Sequence, residues 1–209
     1  MDDNEISMLS TNRVYTTYCD TPITPNNPKS LAEAQRSPEW PDWEKAVQAE
    51  LNQLHKMGTW ILVNPPKERT PVSNKWVLTK KYDKEGNLQK FTARLVAKGY
   101  SQMPGMDYTD TFAPVVRLET IRTLLALALT RNWEIQQMDV KGAYLNGKIK
   151  EELYMNQPEG YDDGSGCVCC LIKSLYGLKQ AGHEWNLEFN QQLESHGWIP
   201  SVVDPCAYS

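Results

Sequence analysis

Two runs of alternating polar and apolar residues, NKWVLTKKY and LQKFTARLVAKGY, are joined by the short segment DKEGN. This pattern predicts a β-hairpin, because Gly-Asn favours a tight turn and alternation places successive side chains on opposite faces. The apolar residues of the second run share one face, which can pack on a core. The other face presents Lys90, Arg94 and Lys98 together. A chain with this hairpin must therefore build a half-buried sheet that displays positive charge.

Positive charge is concentrated in this part of the chain. Nine Lys or Arg residues stand against three acids between Lys67 and Lys98, whereas the whole chain carries a net charge of −4. The rest of the chain is therefore strongly acidic, with 13 basic and 23 acidic residues. A basic segment in an acidic protein indicates contact with phosphate or nucleic acid, and a solvated lysine-rich hairpin explains the charge equally well.

The remaining periodicity predicts three helices and two strands around the hairpin. Apolar residues four and three apart predict a helix from Pro41 to Met57, a second over 118–131 and a third through Trp185. WEIQQMDV is predicted as a strand with Asp139 near its end, and CVCCLIKSL as a buried strand. This order indicates a mixed α/β (α+β) class. The predicted core stripe of the second helix consists of Leu118, Ile121, Leu124, Leu125 and Ala128.

Composition and motifs exclude several classes of protein. Residues 1–37 are dominated by Thr, Asn, Ser and Pro, which predicts a disordered linker. No apolar run is long enough to cross a bilayer and no secretory signal opens the chain, so an intracellular protein, neither secreted nor membrane-bound, is expected. Cys167, Cys169 and Cys170 lack the spacing of a zinc site and are interpreted as small buried hydrophobes. GxSxG, HExxH and P-loop motifs are absent.

Four longer segments are more specific: FTARLVAKGYSQMPGMDYTDTFAPVV, QMDVKGAYLNG, EELYMNQPEGY and SLYGLKQAGHEW. In this order they closely resemble the reverse transcriptase region of copia-type LTR retrotransposons, from about Pro38 to the last residue. The resemblance implies a partial right-hand polymerase, with an N-terminal helix and fingers hairpin over 38–116 and an incomplete palm over 117–209. It also implies an RNA or DNA template-primer and deoxynucleoside triphosphates as partners.

The same resemblance implies roles for individual residues. Asp139 corresponds to the first metal-binding aspartate of the family, and the carbonyl of Val140 follows it as a ligand in a two-ion Mg²⁺ site. Tyr144 stands where the family places a bulky aromatic under the nucleotide sugar, which excludes a 2′-hydroxyl. The other implied contacts are Arg94 and Lys98 with the triphosphate, Tyr176 and Gly177 near the nucleotide, and Lys90, Lys179 and Gln180 with template or primer.

Three departures from the family pattern bear on activity. Thr92 and His183 stand where the family often has Lys and usually has Arg, so two positive charges are lost. The Tyr-x-Asp-Asp motif is not found, and Asp204 is interpreted as a turn residue. We therefore expect a chain truncated before that motif and inactive as an isolated polypeptide, because one carboxylate cannot position two divalent ions.

Two other hypotheses remain open at this stage. One is a non-catalytic nucleic-acid-binding remnant that uses the basic segment 67–98. The other is a degenerate transposon product without a selected role, which would expose a sheet edge. The oligomeric state is not predicted by any feature of the sequence.

Overall fold

The computed structural model describes residues 27–209, so the part of the predicted linker that covers 1–26 lies outside the described residues. Helices and strands are mixed along the chain, which confirms the predicted class. The helices are α1 (Leu31–Arg36), α2 (Trp40–Lys56), α3 (Leu118–Thr130) and α4 (Ala181–Ser195). The strands are β1 (Trp60–Val63), β2 (Asn74–Tyr82), β3 (Leu88–Ala97), β4 (Lys148–Met155) and β5 (Val168–Lys173). Short 3-10 helices cover Gly99–Ser101 and Ala143–Asn146.

The predicted hairpin is formed by β2 and β3, which pair antiparallel with Trp76 opposite Leu95. Alternation works as predicted, since Ala93, Leu95 and Ala97 are buried while the intervening residues are partly or fully exposed. Helix α2 packs against β3, and its Trp43 ring meets Phe91 edge-on with 4.7 Å between ring centroids. The buried stripe of α2 consists of Trp43, Val47, Leu51 and Leu54. The hairpin and α2 thus share one core, as their periodicity requires.

A second, three-stranded antiparallel sheet has the order β1-β5-β4. The predicted strand β5 lies at its centre and buries Cys169 completely, in agreement with its interpretation as a small hydrophobe. Burial raises the pKa of the Cys169 thiol to about 12, so it remains protonated. The sheet joins the hairpin through Val72, whose N–H donates to the Tyr154 carbonyl at 2.8 Å. Strands β1 and β4 are absent from the sequence-based prediction: β1 has only four residues, and β4 begins with the mostly charged run KIKEE, which resembles no half-buried strand.

The predicted linker is wrong for part of its length. Helix α1 lies inside it and buries Leu31 and Ala34 against the main core. The Ser30 hydroxyl accepts a hydrogen bond from the Glu33 N–H, which caps the first turn. A helix of six residues is too short for its two apolar positions to stand out from the polar residues around them.

Two predictions for the region 118–140 are also wrong. Residues 133–140 form no strand, and their side chains are exposed, with Met138 88% exposed. Helix α3 forms as predicted, but of its proposed core stripe only Ala128 is buried, while Leu124 is 50% exposed. The physical reason is shared: within 27–209 no strand pairs with 133–140 and no element covers the apolar face of α3. Periodicity identifies the apolar face of a helix or strand, but that face is buried only where another element packs against it.

Asp204 begins the turn that the sequence suggested, since its side chain accepts the Cys206 N–H at 3.0 Å, and it has a second role as well. Its carboxylate is 2% exposed and accepts hydrogen bonds from the Arg117 N–H at 3.0 Å and from the Thr120 hydroxyl at 2.6 Å. These donors belong to the first turn of α3, where N–H groups lack partners within the helix. Asp204 therefore caps α3 from a distant part of the chain.

We expect Asp204→Asn to lower the melting temperature of the protein by several degrees at pH 7, because the amide cannot replace the carboxylate at all three of its bonds. The hydrogen bonds from Thr120, Arg117 and Cys206 hold the pKa of Asp204 below its usual value. Its contribution is thus present at neutral pH and lost as the pH falls through the lowered pKa. Thermal melts at pH 7 and pH 3 should show the difference between the two proteins narrowing; an equal difference at both values would contradict this role.

Candidate nucleotide-binding site

Three of the predicted site residues lie together although they come from three separate segments. The Arg94 guanidinium, on the outward face of β3, lies over the Tyr176 ring at 5.2 Å from its centroid. Tyr176 in turn meets Tyr144 edge-on, with 5.3 Å between ring centroids. Both aromatic rings are half-buried, and Arg94 remains exposed. The result is a cationic group fixed on an aromatic pair, with its outer side open to solvent.

The turn at Tyr176-Gly177 is docked on the end of β3. The Tyr176 carbonyl accepts a hydrogen bond from the Ala97 N–H at 2.8 Å. Gly177 has φ +87°, and a Cβ there would lie 2.6 Å from Val96 Cγ1 and still closer to the Ala97 carbonyl oxygen. Gly99 is equally restricted, because a Cβ there would collide with the Gly177 carbonyl oxygen. Glycine at both positions permits the contact that sets Tyr176 against Arg94.

Asp139 lies on the irregular exposed segment 133–140 and not at the end of a strand. Burial raises the pKa of the Tyr176 hydroxyl, Arg94 lowers it, and the charges of Glu50 and Asp139 add to the increase. The carboxylate is therefore within electrostatic range of Tyr176, on a segment that the described contacts hold loosely. Val140, its neighbour, is 46% exposed.

Glu50 is a site residue that the sequence analysis missed. It projects from α2, is half-buried, and accepts a hydrogen bond from the Leu95 N–H at 3.3 Å. Burial raises the pKa of this carboxyl, while the Leu95 N–H and the Arg94 charge lower it to a smaller extent. Its position in the sequence could have indicated partial burial. Glu50 lies three residues after Val47 and next to Leu51, so it borders the buried stripe of α2.

The Gln180 side chain does not face solvent, so the predicted direct contact with template or primer is wrong. Its hydrogen bonds instead hold neighbouring segments of the chain together. Its side chain is fully buried, accepts from the Gln102 amide at 2.9 Å, and donates to the Asp107 carbonyl at 2.8 Å. Gln102 also accepts from the Lys179 N–H at 2.9 Å. Lys179 itself is exposed and lies over the Tyr108 ring at 5.1 Å. The buried amide pair thus fixes the segment that follows Gly177.

The charged residues on the outward face of the hairpin are all basic. Lys81 stands directly opposite Lys90 in the register of the two strands, and like charges opposite one another destabilise a sheet. No acid occupies an outward position of either strand. This face carries Lys75, Lys81, Lys90, Arg94 and Lys98. Such a surface is suited to an anionic ligand, whose phosphates would relieve the repulsion.

The oxygen donors near this site suit Mg²⁺ only in part. The Asp139 carboxylate and the Val140 carbonyl are the ligand types that Mg²⁺ prefers, and Mg²⁺ often completes its shell with water and substrate phosphates. Within 27–209 no cluster of three or more His, Cys, Asp or Glu side chains could hold a metal ion. These residues therefore fit one ion shared with a bound phosphate, and they do not fit a two-ion site on their own.

Comparison with known proteins identifies the family to which this sequence belongs. The family model for "Reverse transcriptase (RNA-dependent DNA polymerase)" matches residues 57–208. The chain therefore belongs to the reverse transcriptase family. None of the helices in the described part of the chain is long and apolar enough to span a membrane. No solved structure matches the chain.

The chain is similar to Pol polyproteins of plant transposons. This similarity confirms the resemblance to the copia-type reverse transcriptase region. The chain is 43% identical to the retrovirus-related Pol polyprotein from transposon TNT 1-94 of Nicotiana tabacum, over 87% of this chain and 14% of that protein. It is 44% identical to the polyprotein from transposon RE1 of Arabidopsis thaliana, over 78% of this chain and 11% of that protein. An uncharacterized mitochondrial protein of Arabidopsis thaliana is 40% identical over 61% of this chain and 69% of its own length. The chain thus spans a small part of the polyproteins it matches.

Proposed function

We propose that this region binds the incoming deoxynucleoside triphosphate of an RNA-directed DNA polymerase, within a fingers hairpin and part of a palm. The observation that carries the proposal is the convergence of Arg94, Tyr176 and Tyr144 from three separate segments. Arg94 binds the triphosphate through charge-assisted hydrogen bonds, and Lys98, the residue that follows β3, adds a second cation. The stack on Tyr176 holds the guanidinium in place before the nucleotide arrives, which lowers the entropic cost of binding.

Tyr144 and Asp139 act on other parts of the same ligand. The Tyr144 ring lies under the sugar, where a 2′-hydroxyl would collide with it, so deoxyribose is favoured over ribose. Asp139 and the Val140 carbonyl hold Mg²⁺ together with the nucleotide phosphates, and the ion would supply charge stabilisation during nucleotidyl transfer in a complete site. Lys179 lies beyond the Gly177 turn, exposed toward template or primer.

A second function is favoured by the lysines on the hairpin. Lys81 and Lys90 lie opposite each other on the outward face, several register positions from Val96 and Ala97, where the Tyr176-Gly177 turn docks, and a polyanion would relieve their mutual repulsion. We propose that this part of the face binds the backbone of an RNA or DNA strand. The two functions use different residues, so they can be separated.

Two alanine variants of the hairpin separate these functions. We expect Arg94→Ala to weaken dATP binding in the presence of Mg²⁺ by roughly tenfold to a hundredfold, the value of a hydrogen bond to a charged group. Lys81→Ala removes an exposed cation on the same face, farther along the hairpin from the docked turn, so it should leave dATP affinity unchanged and should reduce the salt dependence of single-stranded RNA binding. Calorimetric titration with dATP and fluorescence anisotropy with labelled RNA measure the two effects.

Each outcome bears on one proposal. Equal dATP affinity for Arg94→Ala and the unchanged protein would refute the nucleotide site. A flat salt dependence of RNA binding in the unchanged protein would refute the nucleic-acid face and leave the nucleotide site standing.

A further inference from the structure

Glu50 is the one acid that a helix places against the inner side of the proposed phosphate site. Its carboxylate accepts the Leu95 N–H at 3.3 Å, on the strand residue next to Arg94. The Arg94 charge lowers the pKa of Glu50, and Glu50 raises the pKa of Tyr176. Glu50 is therefore close to Arg94 and to Tyr176, the ring on which the Arg94 guanidinium lies. Within the described residues it forms no direct ion pair with Arg94.

We propose that Glu50 is a positioning residue of the nucleotide site, which anchors β3 at Leu95 and sets the negative charge that a triphosphate must overcome to reach Arg94. This inference rests on the proposed nucleotide function and adds a residue on α2 to it. Without a ligand, the carboxylate partly balances the exposed guanidinium. With a triphosphate bound, the same carboxylate repels the phosphates and weakens their binding to Arg94.

The charges around Glu50 determine how this effect depends on pH. Arg94 faces it from β3 and Tyr176 from the docked turn, while Asp139 lies near Tyr176 on the segment 133–140. A bound polyphosphate favours the protonated form of Glu50, so binding is linked to proton uptake. Affinity for a polyphosphate should therefore rise as the pH falls toward the titration range of this carboxyl.

The test uses the 209-residue chain, inorganic tripolyphosphate as the probe, and calorimetric titration at pH 7.5 and pH 5.5. Glu50→Gln removes the charge and keeps an oxygen that can accept the Leu95 N–H, so the anchor is retained. Glu44→Gln is the matched control, because Glu44 is an exposed acid on the same helix. Arg94→Ala is measured in parallel. The titration of the probe itself affects all four proteins equally and cancels in the comparison.

At pH 7.5 we expect Glu50→Gln to bind tripolyphosphate roughly threefold to tenfold more tightly than the unchanged protein, and the difference should shrink at pH 5.5. Glu44→Gln should match the unchanged protein at both values. Folding is not at risk, because a carboxyl with a raised pKa opposes stability when ionised, and the variant should melt at or above the temperature of the unchanged protein at pH 7.5.

Two failures can be told apart. If Arg94→Ala loses affinity while Glu50→Gln equals or falls below the unchanged protein at pH 7.5, the role of Glu50 is refuted and the nucleotide site stands. If Arg94→Ala binds tripolyphosphate as well as the unchanged protein does, the proposed nucleotide function fails, and the inference about Glu50 fails with it.

Discussion

Gly177→Ala is expected to disrupt the candidate site and to destabilise the protein by roughly 2–4 kcal/mol. Two effects add. A side chain at the φ of +87° found there is strained, and its Cβ would also overlap the Ala97 carbonyl oxygen and lie 2.6 Å from Val96 Cγ1. The atoms in the way include backbone of β3, which cannot move without breaking the hairpin. The turn would separate from β3 and carry Tyr176 away from Arg94.

Gly86→Ala is the matched control for this change. Gly86 has nearly the same φ, +85°, but a Cβ there meets no atom within 4 Å. Its alanine variant should therefore lose only the conformational part, about 1 kcal/mol. Chemical denaturation of both variants measures the difference, and titration with tripolyphosphate shows whether the Arg94 site survives. Equal destabilisation by the two variants would contradict the docked turn.

In a primer-extension assay, the 209-residue chain is expected to add no nucleotides to a template-primer in the presence of Mg²⁺ and deoxynucleoside triphosphates. The described residues bring no trio of acids to the site, and loss of the charge stabilisation that two ions provide costs several kcal/mol, or roughly a thousandfold or more in rate. Binding of the nucleotide through Arg94 does not need that stabilisation, so binding and extension should be uncoupled in this chain.

The assay is decisive when Asp139→Asn is tested beside it. Mg²⁺-dependent extension that disappears in Asp139→Asn would show that this polypeptide holds a working metal site and would refute the expected inactivity. Asp162→Asn is the control, because Asp162 is an exposed acid in the turn between β4 and β5. Extension that persists in Asp139→Asn would indicate a contaminating polymerase.

The sequence by itself determined the local elements and the family. Alternation over 74–79 and 90–97 specified the two strands of the hairpin and which of these residues face outward, because a strand places every second side chain on the same face. The spacing of Trp43, Val47, Leu51 and Leu54 specified α2 and its buried stripe in the same way. The ordered segments around Gly177 indicated the reverse transcriptase region, which the family match confirmed.

Only the tertiary structure decided which elements have neighbours and which residues share a site. The apolar stripe of α3 was predicted as core and the segment 133–140 as a strand, and both are exposed because no described element packs on them. The sequence assigned no role to Glu50 and predicted a template or primer contact for Gln180, whereas Glu50 accepts the Leu95 N–H next to Arg94 and Gln180 is buried in an amide pair. Periodicity reports the faces of an element, whereas burial, electrostatic partners and hydrogen bonds over long sequence separations depend on which other elements fold against it.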